Sequence, residues 1–158
     1  GRDVGEAELL AGLAGGSVGK ALSIDLEFAL KERPNLLSRM AKLASPRGAG
    51  HHGRQSAEEI LGMTELLMGY GDEGLEVLLS WLRDIAIEKL ESREARDGIH
   101  TDMLDNIASM AQLWDIAAII EGADAVMRAQ ERLRMNLNKA MVFENLVLTL
   151  TRGKRPEW

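Results

Sequence analysis

Cysteine is absent from the chain, which removes disulfides, thiolate metal sites and cysteine nucleophiles at one stroke. Aromatic residues make up only 4% and β-branched residues never fall into alternating runs, so nothing in the sequence reads as a strand. No apolar run approaches the roughly 18 residues of a membrane span, and the start lacks the charged-then-apolar pattern of a signal peptide. A basic footprint is missing too: the formal net charge is −6, which predicts no strong binding of a polyanion such as DNA. What remains is an ordinary globular balance of 46% apolar and 28% charged residues over 158 positions, rich in helix formers. These features predict an all-α chain, and the cysteine-free composition suits a cytoplasmic protein.

Helix boundaries are written in short-range signals. Residues 6–14 form a short amphipathic helix with Leu9, Leu10 and Leu13 on one face, stopped by Gly15-Gly16. Ser17 then reads as an N-cap, and Val18, Ala21, Leu22 and Phe28 predict a buried stripe on a helix reaching Lys31. Pro34 suits the first turn of a helix ending near Ala44. The glycine-rich stretch 45–53 is loop-like, and Ser56 with Glu59 forms a capping box opening a helix to about Gly69. Gly71 breaks the pattern, with Asp72 as a possible cap. A long amphipathic helix follows with Leu75, Leu78, Leu79, Leu82, Ile85 and Ala86 at helical spacing, ending in the polar stretch 91–98. Thr101 or Asp102 begins a helix carrying Met103, Ile107, Met110 and Ala111. A new or bent helix starts near Leu113-Trp114 and runs through Ile120, Ala123, Val126 and Leu133. Asn136-Leu137-Asn138 is a turn before a last apolar helix from Lys139 to Thr151. The architecture expected is a helix hairpin followed by a bundle of about five or six helices.

Chemistry-bearing patterns are few. Gly15-Gly16-Ser17-Val18-Gly19-Lys20 superficially resembles a phosphate loop, but the first position of that motif is Ala14 and the residue after the lysine is Ala21. It lacks the magnesium-ligating hydroxyl, and it follows a helix rather than a strand. His51-His52 could suggest a metal, but adjacent side chains diverge, no carboxylate is spaced to join them, and His100 is far along the chain, so no metal is expected. Arg128, Arg132, Arg134 and Lys139 form a locally basic stretch, interrupted by Glu131 and read as a solvated helix face rather than a nucleic-acid contact. Trp81 and Trp114 fall on apolar stripes and read as anchors, whereas Trp158 in the tail has no assigned role. The residues alone describe a helical interaction module without visible active-site chemistry or a cofactor.

Three stretches in a fixed order carry a family resemblance. Gly16-Ser17-Val18-Gly19-Lys20-Ala21-Leu22 is similar to the lid signature of bacterial AAA+ clamp-loader subunits, where a Gly-Ser-x-Arg pattern places the sensor 2 arginine of the ATP-hydrolysing tau and gamma subunits. Glycine stands at the arginine position, as in the non-hydrolysing delta-prime subunits. Trp81-Leu82-Arg83-Asp84-Ile85 resembles the Leu-Leu-Arg-Asp segment of the collar, and the asparagine-rich turn before residues 139–150 resembles its closing stretch. The resemblance implies that residues 1–31 are the end of an AAA+ lid, with Gly16, Ser17, Gly19 and Lys20 as a degenerate sensor 2 region. It implies that residues 32–158 are a collar joining tau or gamma and delta subunits in a DNA polymerase III clamp loader. Neither ATP binding, catalysis nor membrane contact is implied for this stretch, and the nucleotide-binding domain would lie upstream of Gly1. The collar of a tau or gamma subunit is the nearest alternative; an unrelated small helical enzyme, with a pocket of converging acids or histidines, is the alternative from another class. Within the last helix Leu146 is expected in the core, and Val142 and Leu148 at a subunit interface.

Overall fold

The computed structural model describes residues 4–45, 55–90 and 99–152. The expectations for residues 1–3, the 46–54 part of the glycine-rich loop with His51 and His52, the polar stretch 91–98 and Trp158 fall outside them. The described residues form seven α-helices and no strand: α1 (Val4–Leu13), α2 (Val18–Ser23), α3 (Arg33–Ala44), α4 (Ala57–Lys89), α5 (Leu104–Leu113), α6 (Ile116–Arg134) and α7 (Lys139–Thr151). Among them no helix is long and apolar enough to cross a membrane.

Helix α4 is the axis of the bundle, with α3, α5, α6 and α7 packed around it. It opens with the reciprocal capping box, in which Ser56 Oγ accepts from the Glu59 amide at 3.2 Å and Glu59 Oε2 accepts from the Ser56 amide at 3.0 Å. Gly71, at φ 58° and ψ −131°, kinks it into two arms. A side chain at that dihedral pair would be strained, so the kink rests on glycine. Beyond it, Leu75, Leu78, Trp81, Leu82 and Ile85 are buried almost completely. Trp81 meets Trp114 edge to face at 5.9 Å and donates from its indole nitrogen to Asn106 Oδ1 at 2.9 Å, fastening α4 to α5.

Helix α6 starts where Asp115 accepts from the Ala118 amide at 2.7 Å. Gly122 lets it lie close to its neighbours: a Cβ there would stand 3.1 Å from Leu150 Cδ2 and 3.4 Å from Leu82 Cδ2. Ile120, expected in the core, is 56% exposed. It lies beside the face that holds Ile119, Gly122, Ala125, Val126 and Ala129, one step too far round the helix to be covered.

The N-terminal hairpin departs most from expectation. Gly15 and Gly16 take positive φ and stop α1, and Ser17 caps α2 through the Lys20 amide. However, α2 ends at Ser23, and Val18 and Leu22 are 75% and 77% exposed rather than buried. The cause is Asp25, whose carboxylate accepts from the amides of Glu27 at 2.8 Å and Phe28 at 3.3 Å and so begins a new helical segment. Phe28, the fourth residue of the expected stripe, does reach the core and stacks edge to face on Tyr70 at 5.3 Å. Leu9, Leu10 and Ala14 are buried but stand outside the main core cluster.

Candidate functional site

The sensor-like residues occupy the turn and first turn of α2, all of them exposed. Gly16 closes the turn and Ser17 serves as the cap. Gly19 has open space where a Cβ would be, and Lys20 makes a long, solvent-exposed contact of 3.9 Å with Glu76. Gly19 therefore presents no side chain at this exposed turn.

The polar groups that do converge lie elsewhere, where α3, α4 and the segment before α5 meet. Arg33 and His100 are both fully buried. The chain enters α3 through a turn of π-helix at Phe28–Glu32, in which the Arg33 amide bonds the Phe28 carbonyl five residues back. Pro34 has no N–H to continue that pattern, so the Ala29 carbonyl loses its backbone partner. The Arg33 side chain supplies the replacement, donating from Nε to Ala29 O at 2.9 Å. Its two terminal nitrogens then reach 67 and 69 residues along the chain, to His100 Nδ1 at 2.6 Å and to the Asp102 carboxylate. Asp102 was expected to start a helix; this contact occupies it instead, and α5 begins two residues later.

The ring state of His100 follows from its partners. A guanidinium only donates, so Nδ1 must accept and the ring proton sits on Nε2. That nitrogen donates to Ser80 Oγ at 2.8 Å, and the serine hydroxyl in turn donates to the Val77 carbonyl at 2.9 Å. Burial, reinforced by the Arg33 charge, pushes His100 down to about 3 from its ordinary 6.5. Asp84 Oδ2 accepts the His100 backbone amide at 2.8 Å, while burial raises the Asp84 carboxyl above its usual range against the lowering effect of that bond.

Serine, histidine and aspartate thus meet, yet the proton order is wrong for nucleophilic catalysis. In a catalytic triad the serine donates to an imidazole that a carboxylate holds in readiness. Here the imidazole donates to the serine, a cation occupies its other nitrogen, and its basicity is suppressed. The arrangement is a clasp that ties three distant segments together. Among the described residues no group of three or more acidic or histidine side chains could hold a metal. A surface cavity of about 180 Å³ lies between α3 and α4, lined by Arg39, Lys42, Leu43, Glu59 and Met63.

The last helix is apolar on more than one side, and its phase in the bundle decides which residues face outward. Leu146 is buried, as expected. Val142 is also buried, only 5% exposed, so it has no surface to offer a partner; one residue earlier Met141 is 63% exposed. Leu148, half-buried, shares the outer face with Met141, seven residues and two turns away. On α6, Ile116, Ile120 and Met127 are exposed at positions i, i+4 and i+11, forming a second apolar stripe.

The described residues thus define the class of all-α helical bundles, with buried polar groups that hold its own segments together and exposed apolar stripes on α6 and α7. Residues 53–152, which contain all of α4 to α7, match the family described as DNA polymerase III, delta subunit, C terminal, and the chain belongs to that family. This part of the chain is therefore the C-terminal helical domain of a DNA polymerase III clamp-loader subunit. Neither the curated proteins nor the solved structures gave a match.

Proposed function

We propose that the chain is the assembly module of a delta-prime-type clamp-loader subunit, with residues 1–31 ending an AAA+ lid and residues 32–158 forming the collar that joins tau or gamma and delta. The observation that carries this reading is the family match over α4 to α7. Its finer part rests on Gly16-Ser17-Val18-Gly19, which lies outside the matched stretch and lacks the arginine of ATP-hydrolysing subunits. Reconstitution tests it: the chain should join tau or gamma and delta and be displaced by authentic delta-prime. Displacement by delta alone, or by tau or gamma alone, would reassign the subunit. Titration of the pure chain with ATP should give no binding heat, and micromolar affinity would count against the reading.

On this reading the outward faces of α6 and α7 meet neighbouring collars. Ile120→Ser, Met127→Ser and Leu148→Ser should leave helicity intact by circular dichroism yet weaken assembly by about tenfold each. Leu146→Asn should instead lower stability by about 3 kcal/mol, because it exchanges a buried side chain for an amide without partners. If every folded variant assembled normally, these faces would not be the interface.

A further inference from the structure

The turn between α6 and α7 carries a surface that neither the bundle nor the clasp uses. Its backbone is firmly closed. The Leu137 amide bonds the Arg132 carbonyl at 3.1 Å, the Asn136 amide bonds the Leu133 carbonyl at 3.0 Å, and Asn136 takes a positive φ of 58°. These bonds are those of a Schellman stop, in which the residue at the Leu137 position ordinarily packs on an apolar side chain one turn back. That place is held by Arg132, and Leu137 remains 49% exposed. Asn138 then caps α7 through the Met141 amide at 3.2 Å, fixing the far side of the turn. The turn holds side chains that the bundle leaves uncovered: Met135 is 64% exposed and Met141 63%.

Charge surrounds them. Between Arg128 and Met141 the sequence has four cations and a single anion, in a chain of net charge −6. Arg132, Arg134 and Lys139 are exposed, and none takes part in the ion pairs formed among the described residues, which are Lys20–Glu76, Lys31–Glu27 and Arg33–Asp102. Burial raises the Glu73 carboxyl, helped by the like charges of Asp25, Glu76 and Glu32, so these four acids gather near one another in the N-terminal half of the chain.

We propose that this tip docks an acidic protein segment bearing aliphatic anchors, with Arg132, Arg134 and Lys139 meeting its carboxylates and Met135, Leu137 and Met141 receiving its apolar side chains. Methionine is suited to such a face, because its unbranched, polarizable side chain fits many partners. Nucleic acid fits less well: no aromatic residue lies between Arg128 and Met141 on which a base could stack. Complementary charge fixes the sign of the partner, and the exposed apolar trio requires more than a polyanion.

The proposal goes beyond the subunit-assembly reading and is tested apart from it, on the chain alone. The probe is a fluorescein-labelled peptide of alternating glutamate and leucine, titrated by anisotropy at physiological salt. Its comparators are a glutamate-only peptide, a lysine–leucine peptide and a single-stranded oligonucleotide. Arg132→Glu with Arg134→Glu should weaken the glutamate–leucine peptide by about tenfold, and Met135→Ser with Leu137→Ser by a similar factor. Leu148→Ser, on the outer face of α7, should leave it unchanged, whatever that variant does to clamp-loader assembly. Equal binding of the glutamate-only peptide would reduce the tip to a charge sink and overturn the proposal. So would tighter binding of the oligonucleotide, absence of peptide binding, indifference to both double variants, or self-association of the chain through the tip.

Discussion

Replacing Arg33 by methionine is expected to lower the unfolding free energy by about 3 kcal/mol, read by urea unfolding followed by circular dichroism. Breaking a buried charged pair by deleting one member costs about 3–5 kcal/mol when the other member is left without water. Asp102 moderates the loss here, because its side chain is 37% exposed and water takes over its solvation. The other two partners have no such relief. The Ala29 carbonyl has already lost its backbone donor to Pro34, and His100 Nδ1 is wholly enclosed. Asp102→Asn should therefore cost only about 1 kcal/mol, since the amide oxygen still accepts from the guanidinium. Arg33→Lys should not restore stability, because an ammonium cannot serve three divergent acceptors from one planar fork. If Arg33→Met were as stable as the parent, the clasp would be dispensable, and apolar packing alone would join α3 to the α4–α5 connection.

The contrast between this clasp and the helix boundaries shows what a sequence carries openly. The Ser56–Glu59 capping box, the Gly15-Gly16 stop, the Gly71 break and the turn at Asn136 each depend on partners within about one helical turn. They are readable because the physical cause sits beside its effect. The clasp joins residues 67 and 69 positions apart, and no local pattern links Arg33 to His100 or Asp102. A weak signal did exist: arginine before proline at a helix start, and a lone histidine after a polar stretch. Neither names its partner. The expected stripe at Val18 and Leu22 fails for a local reason: a helix continuing to Lys31 would pass through Asp25, and an aspartate preceding Leu-Glu-Phe can cap a new segment. The exchange of Val142 for Met141 on the outer face has another cause. Met141, Val142 and Phe143 are consecutive and all apolar, so composition does not fix the phase of α7; only the packing of Phe143, Leu146 and Leu150 in the core does.

Acid should loosen the fold at an earlier pH than its carboxylates alone would cause, and His100 is the reason. In the folded chain its imidazole is held neutral, titrating at about 3, whereas an unfolded chain would protonate it near 6.5. The unfolded state therefore binds the extra proton throughout that interval. The stability contributed by the neutral ring is fully present above about pH 6.5 and is lost as the pH falls toward the folded value. The slope approaches about 1.4 kcal/mol per pH unit, so between pH 7 and about pH 4.5 the loss should reach about 2–3 kcal/mol. The groups facing the ring set the sign. Arg33 opposes a second positive charge beside it, Asp102 is engaged by that same guanidinium, and Ser80 already accepts the ring proton. Asp84 acts in the opposite direction: burial raises its carboxyl in the folded chain, so as the pH falls it takes its proton there first and returns some stability until the unfolded group also protonates near 3.8. Urea unfolding at pH 7 and about pH 4.5, in the parent and in His100→Gln, separates these contributions. The variant should be less stable at pH 7 yet lose less on acidification, since glutamine has no proton to gain. Parallel pH curves for the two proteins would show that another group governs the acid response and that the Arg33–His100 contact adds nothing to it.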